Sequence, residues 1–536
     1  MIAPRPQADQ TVTRLPTLNA DVNETHSLLV LPSELLIENL RHLDYRSILR
    51  CSSVCRELKK VIDSSVELQY RIELALDCML DGPPSTLTVS ERLEQLRDLR
   101  RAWTLFEWKK EIRVPMSGCC QAYELVGGVF AKTSNFQGGI FSHFGSRHFV
   151  STWLPSSSDP GRSLVRNDLG IATRDFAIDP TQDLIALVKT DEDMSHESGY
   201  IEVYIRTISS NVQHPAAASP MLRTFSSFPM NNAFIQIVED VVGMLFWTEP
   251  AGGRIAIWNW ETGKMLVDRS IDHLPPNISD FSFISSRAYM VTRGIGGGAI
   301  QVFTFGEDED DIVHVADLSL PPLKPRTHIV HSNIHTGPFI ANCPPGTSFW
   351  TNQEDRMYVL SVQYIQVDPD APSARPKFCI FFNSSTPLRY IRKYREQRPE
   401  SHFEVPWEEW GPQGTRMLHH QVQYQWLRYV HGHRIVFPVP PGSMQVLDFN
   451  VRKSERHAFP PRPNSSARIE VVDYPSTILS DNIFLWPIET SLPYRICLRD
   501  ELQGFSGVMV DERRLIGLKS PTFADGDMKD LHVFAF

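Results

Sequence analysis

Several things are scarce in this chain, and each scarcity closes off a class of protein. Cysteine is rare: eight in 536 residues, at positions 51, 55, 78, 119, 120, 343, 379 and 497. No C-x2-C pair occurs, and the density is far below that of a disulfide scaffold, so reduced thiols in cytosol or nucleus are expected. No run of about 18 apolar residues exists to cross a membrane as a helix. Residues 1–27 read as a disordered tail, with Pro4, Pro6, Asp9, Asp21 and Glu24 where a signal peptide would need an apolar stretch. Positive charge is in deficit, at a formal net charge of −10, which argues against nucleic acid as the main partner. Zincin, nucleophile-elbow, P-loop and catalytic-cysteine signatures are absent, so neither catalysis nor a cofactor is expected. The sequons at Asn23, Asn277, Asn383 and Asn464 are expected to stay bare.

What is present begins with ample apolar material, 42% of residues, enough for real cores in a chain long enough for two or more folded units. Near the start, Leu31-Pro32-Ser33-Glu34-Leu35-Leu36-Ile37 places a proline where a first helical turn tolerates it. Leu36, Leu40 and Leu43 recur on one face. Asp44 is a natural N-cap for a second helix, whose inward stripe reads Ile48, Ser52, Cys55 and Leu58 or Ile62. Periodicity alone leaves a plain helical hairpin open.

The order of residue types goes further. The Leu-Pro-x-Glu-Leu-Leu opening, Leu43-Asp44 twelve residues on, and Val54-Cys55-Arg56 stand at the spacing of an F-box; residues 28–64 resemble that module, and from Leu31 to Leu58 the match needs no insertion. Asn39 and Leu58 depart from it, where the family usually has isoleucine and often tryptophan. The resemblance implies docking on a Skp-type adaptor and, through it, a cullin. Adaptor-facing and core positions would fall on Leu31, Pro32, Glu34, Leu35, Leu36, Leu40, Leu43, Val54 and Cys55. Residues 65–115 read as a helical spacer, one helix before and one after Gly82-Pro83-Pro84-Ser85, the second burying Leu93, Leu96, Trp103 and Phe106. Residues 64–114, with Leu68-Gln69-Tyr70, Ile72-Glu73-Leu74, Glu91-Arg92-Leu93 and Arg100-Arg101-Ala102-Trp103, resemble the continuation in many F-box proteins of mushroom-forming fungi.

From residue 116 to 536 the helical period gives way to short alternating runs between Gly, Pro, Asn and Asp turns. Hairpin pairs recur at Asp175–Val188 with Gly199–Ile205, Val242–Trp247 with Gly253–Lys264, and Phe281–Thr292 with Gly298–Phe305. Weaker copies follow at Arg356–Gln366 with Lys377–Phe382, Gly432–Val439 with Ser443–Phe449, Asn482–Trp486 with Tyr494–Leu498, and Gly507–Leu518 with Leu531–Phe536. Such spacing predicts a degenerate WD-like β-propeller of about seven blades, closed by a strand at Leu531–Phe536. The fold class is therefore multidomain: α followed by all-β.

Among candidate sites, His328, His331 and His335, and the pair His431 and His433, lack an evident third ligand, so no metal is expected. Gly294-Ile-Gly-Gly-Gly298 reads as a hairpin turn rather than a phosphate cradle, because a strand follows it. Glu307–Asp311 reads as a solvated acidic loop. Arg389, Arg392, Lys393, Arg395 and Arg398 form the one dense basic cluster; a solvated loop is the plain reading and an acidic or phosphorylated protein substrate the sharper one. With the resemblance, the chain reads as the substrate receptor of a cullin-type ubiquitin ligase. The rival is a propeller enzyme or scaffold with a docking arm unrelated to ubiquitin.

Overall fold

The computed structural model describes residues 31–536 apart from 117, 119, 135–144, 157–158, 191–198, 249–251, 271–273, 275–277, 309–310, 368–374, 421–427, 440–441, 452–466, 480–482, 501, 503, 506 and 520–529. The tail expected at 1–27 and the sequons at Asn23, Asn277 and Asn464 lie outside the described residues. Two compact units emerge, one ending at Ile72 and one running from Glu73 to Phe536.

The first unit is helical: α1 (Ser33–Leu40), α2 (Tyr45–Ser52), α3 (Arg56–Ser64) and the start of α4 (Val66–Leu76). Pro32 sits just outside α1. Asp44 caps α2 as expected, accepting from Arg46 N and Ser47 N at 2.9 and 3.0 Å. The single second helix expected to reach Ile62 is instead two, because Ser53 and Val54 turn the chain and the Cys55 sulfur caps α3 at Leu58 N. Leu36, Leu40, Ile48, Leu58 and Ile62 are buried, and α3 packs on both α1 and α2.

The second unit is a seven-bladed β-propeller with helices of its own. In chain order, four-stranded antiparallel blades start at Ala122, Thr173, Met230, Ile278 and Thr327, a sixth starts at Val430, and a seventh combines Gly507–Val510, Arg514–Leu518 and Asp530–Ala535 with Lys110–Pro115. The last blade closes the ring: Val114 stands opposite Leu531, and Lys110 opposite Ala535. Lys110–Pro115 is thus a propeller strand and not, as expected, the end of a spacer.

Several expected hairpins prove denser than they read. Asp175–Val188 and Phe281–Thr292 are each two strands, turned at Pro180–Asp183 and Ser286–Arg287. The expected copy at Asn482–Trp486 with Tyr494–Leu498 is not a blade. Tyr494–Arg499 is a strand of the sixth blade, flanked outside by Arg468–Val472, and Phe484 only bridges Leu323. In its place stands a blade not anticipated, from Ala122 to Arg166.

Blades adhere through apolar faces, each too small to be stable alone. Phe281 and Phe283 pack on the third blade at Gly243, where a Cβ would lie 2.4 Å from Phe283 Cζ, so only glycine permits this approach. Hydrogen bonds reinforce the seams: Tyr358 Oη donates to Phe283 O at 2.8 Å, and Ile334 N to Asp280 Oδ2 at 2.8 Å.

The helical segment belongs to this unit. α5 (Val89–Leu105) opens on a Thr88/Glu91 capping box and buries Leu93, Leu96 and Trp103, with Phe106 just beyond it. Trp103 stacks on Phe536 with ring centroids 3.8 Å apart and donates Nε1–H to Glu512 O at 3.0 Å. Strand Met79–Asp81 pairs with Phe349–Thr351. The expected stiff spacer is therefore, from Glu73 onward, fastened to the propeller. Trp103→Ala should cost about 3–5 kcal/mol, and removal of Leu531–Phe536 should unfold the ring; equilibrium denaturation checks both.

Candidate functional site

In the helical unit the expected docking residues sort into two sets. Leu36 and Leu40 face inward and Leu31, Leu43 and Cys55 are half-buried, whereas Pro32, Glu34, Leu35 and Val54 are exposed. Leu35 is 49% and Val54 74% exposed, and Leu49 adds a third bare aliphatic group. Large apolar groups left in water beside an intact small core are what a partner would cover. Asn39, a departure from the F-box pattern, is exposed and donates to Leu35 O at 2.7 Å, outside the core. Leu58, the other departure, fills a buried position.

The basic cluster lies on a helix, which corrects the loop reading. An insertion between the third and fourth strands of the fifth blade carries α6 (Ser385–Gln397), strand Phe403–Val405 and α7 (Trp407–Gly414). Pro387, Tyr390 and Ile391 seat α6 on the core, while Arg389, Arg392, Arg395 and Arg398 are exposed. Lys393 instead covers the Phe403 ring at 4.7 Å. The missed signal was Pro387, Tyr390, Ile391 and Tyr394 at helical spacing. Strand Phe403–Val405 pairs in parallel with the fourth blade, and Trp410 Nε1 donates to Ser319 O at 2.8 Å, so α6 stands on a rigid base.

Where the histidines fall is also specific. His328, His331 and His335 lie along the strand Thr327–His335. Burial pulls His335 down to about 4, keeping it neutral. His431 and His433 were expected on one strand face, but Gly432, at φ 54°, turns the chain between them. His431 Nε2 lies 3.4 Å from Glu512 Oε2, and His433 Nε2 lies 3.1 Å from Asp355 Oδ1. Two trios of metal-ligand type occur among the described residues, Cys78/Asp355/His433 and His314/Asp317/His402; sequence spacing signals neither. Gly294–Gly298 is the hairpin turn expected, with Gly296, Gly297 and Gly298 at positive φ. In the acidic run, Glu307 pairs with Arg287 and Asp308 with Lys264; positions 309–310 lie outside the described residues.

Residues 28–74 match the family described as F-box-like. This stretch is an F-box-like domain. No curated protein matches the chain. Among solved structures, the WD40 domain of SCAP from fission yeast is 10% identical with a TM-score of 0.30, covering 80% of this chain and 97% of that one. The C-terminal WD40 domain of Sif2 is 9% identical at 0.34, covering 80% and 98%. The seven-bladed fold rests on the strand pairing, not on these likenesses.

Glu512, whose backbone carbonyl accepts from Trp103 of α5, holds its carboxylate against Thr351 and His431. Burial, the largest influence, works to raise its carboxyl, but the hydrogen bond and charge of His431, the Thr351 hydroxyl and the charge of Arg434 outweigh it and pull the group down to about 2. A carboxylate so depressed contributes stability above its ordinary value near 4.5, lost as pH falls through about 2. Glu512→Gln should remove up to about 3 kcal/mol of stability at neutral pH and flatten the acid limb. Parallel stability–pH curves for the two proteins would contradict this.

Proposed function

We propose that this protein is the substrate-recognition subunit of a cullin-type (SCF) ubiquitin ligase. Its F-box-like domain binds a Skp-type adaptor and, through it, a cullin, while the propeller holds a protein substrate. The observation that carries the reading is the bare Leu35 and Val54 on an F-box-like domain whose own core is already filled. The chain supplies no reacting group; it raises the effective concentration of substrate beside a charged ubiquitin carrier, and the transfer chemistry belongs to other subunits. Cytoplasm or nucleus is the compartment in which this would operate. The fungal resemblance of residues 64–114 belongs to the same reading.

For the substrate, α6 is the favoured dock. Arg392 and Arg395, and Arg398 just past the helix end, are exposed cations on or beside a helix seated by Tyr390 and Ile391, and guanidinium forks suit carboxylate or phosphate groups. An acidic or phosphorylated protein segment fits that chemistry.

Co-purification tests the reading. Leu35→Asp with Val54→Asp should weaken adaptor capture at least about thirtyfold, as loss of desolvated apolar anchors does, with the propeller's melting unchanged. Adaptor retained at wild-type level would contradict it. Arg392→Glu with Arg395→Glu should keep the adaptor and lose proteins captured by the wild-type propeller; an unchanged captured set would remove α6 as the dock.

A further inference from the structure

Cys78, Asp355 and His433 are remote in sequence, yet Sγ, a carboxylate oxygen and a ring nitrogen lie within 4.8 Å of one another. Ligand atoms around a tetrahedral ion with bonds of about 2.0–2.3 Å stand roughly 3.3–3.8 Å apart, so small side-chain adjustments would close the set. Two of the three are already in contact, His433 Nε2 lying 3.1 Å from Asp355 Oδ1. Asn383 Nδ2 donates to Asp355 Oδ1 at 2.8 Å and stands 3.1 Å from His433 Nε2. Its carbonyl is engaged by Ser385 N at 2.7 Å, which fixes which end of the amide faces the pair.

The elements presenting these side chains are firmly held. Cys78 follows α4 at φ 56°, a left-handed conformation at a helix end that glycine or asparagine ordinarily takes. Its N–H donates to Ala75 O at 3.1 Å and its carbonyl accepts from Asn352 N at 2.8 Å. Asp355 lies in the turn before the strand Met357–Gln366, and His433 in the turn after the strand Val430–His431. A cavity of about 20 Å³, room for one water, reaches His433 but neither Cys78 nor Asp355, and Arg100, Arg434 and Arg495 also line it. The second trio is a poorer candidate, since Asp317 already carries an ion pair with Arg293 at 3.2 Å, whereas Asp355 is held by Asn383 and His433.

We propose that Cys78, Asp355 and His433 bind Zn²⁺ or a similar borderline divalent transition ion, with a water as fourth ligand. One sulfur, one imidazole nitrogen and one carboxylate oxygen are donors zinc accepts. Held by side chains from three separate segments, the ion acts as a structural tie joining the Cys78 segment to the fifth and sixth blades. Burial, and then the Asp355 charge, raise the Cys78 thiol, so it carries its proton in the empty site. That proton passes to solvent as the sulfur–metal bond forms.

The test uses the full chain, stripped with a chelator and titrated with Co²⁺, then Zn²⁺. One equivalent of Co²⁺ should bind with thiolate-to-metal charge-transfer absorption that Zn²⁺ bleaches, and Zn²⁺ should raise the melting temperature. Cys78→Gly suits the left-handed backbone and should fold, yet lose both the absorption and the zinc-dependent shift. Asp355→Asn should bind at least about tenfold more weakly. An absent charge-transfer band in the wild type, or one that survives in Cys78→Gly, overturns the proposal.

Discussion

Ring closure is the constraint on which the larger unit depends. A propeller blade buries its faces only against its neighbours, so an incomplete ring would leave two blades half wet. Here the completing strand, Lys110–Pro115, comes from before the first blade and pairs with Asp530–Ala535 over its whole length. Closure is reinforced by aromatic packing: Trp103 on Phe536, Phe106 beside the same ring at 6.0 Å, and Trp108 against Phe534 at 5.0 Å. The residues that end α5 and those that end the ring are thus one cluster. Polar contacts follow the same geography, with Arg499 donating to Phe106 O at 2.6 Å and Asn450 to Leu76 O at 2.9 Å.

The F-box-like domain solves a different problem. A helical unit this small has few core positions, and they are filled by Leu36, Leu40, Ile48, Leu58 and Ile62. Polar caps define its helices, Asp44 on α2 and the Cys55 sulfur on α3. Aliphatic groups are then left exposed, Leu35, Leu49 and Val54 among them. In the propeller most of the apolar side chains are buried in and between blades, and α6 adds an exposed cationic face.

Much of this was legible in the chain, and the failures have physical causes. Strand-period runs marked most blades, and Asp44 announced its helix. The blade from Ala122 to Arg166 escaped notice because its two inner strands, Ala122–Val126 and Val129–Ser134, are buried on both faces; Glu124, Lys132 and Thr133 sit inside it, erasing the alternation. Glu124 is held there by a two-pronged pair with Arg428, which no local pattern could foretell. Conversely, Phe484 and Trp486 look strand-like but belong to an insertion, with Trp486 45% exposed. The basic cluster misled because its charges drew more attention than the apolar spacing beneath. Cys78 and His433 meet only through the closed fold, so spacing rules for metal sites had nothing to register.

Hydrogen exchange under native conditions tests the central claim most directly, by comparing amides of Ile112 and Val114 with those of Leu531 and Val533. If the two strands complete one blade, all four exchange together and only through the opening that unfolds the whole ring. Rapid exchange of Ile112 and Val114 while Val533 stays protected would show that the ring does not depend on its first strand, and would contradict the account.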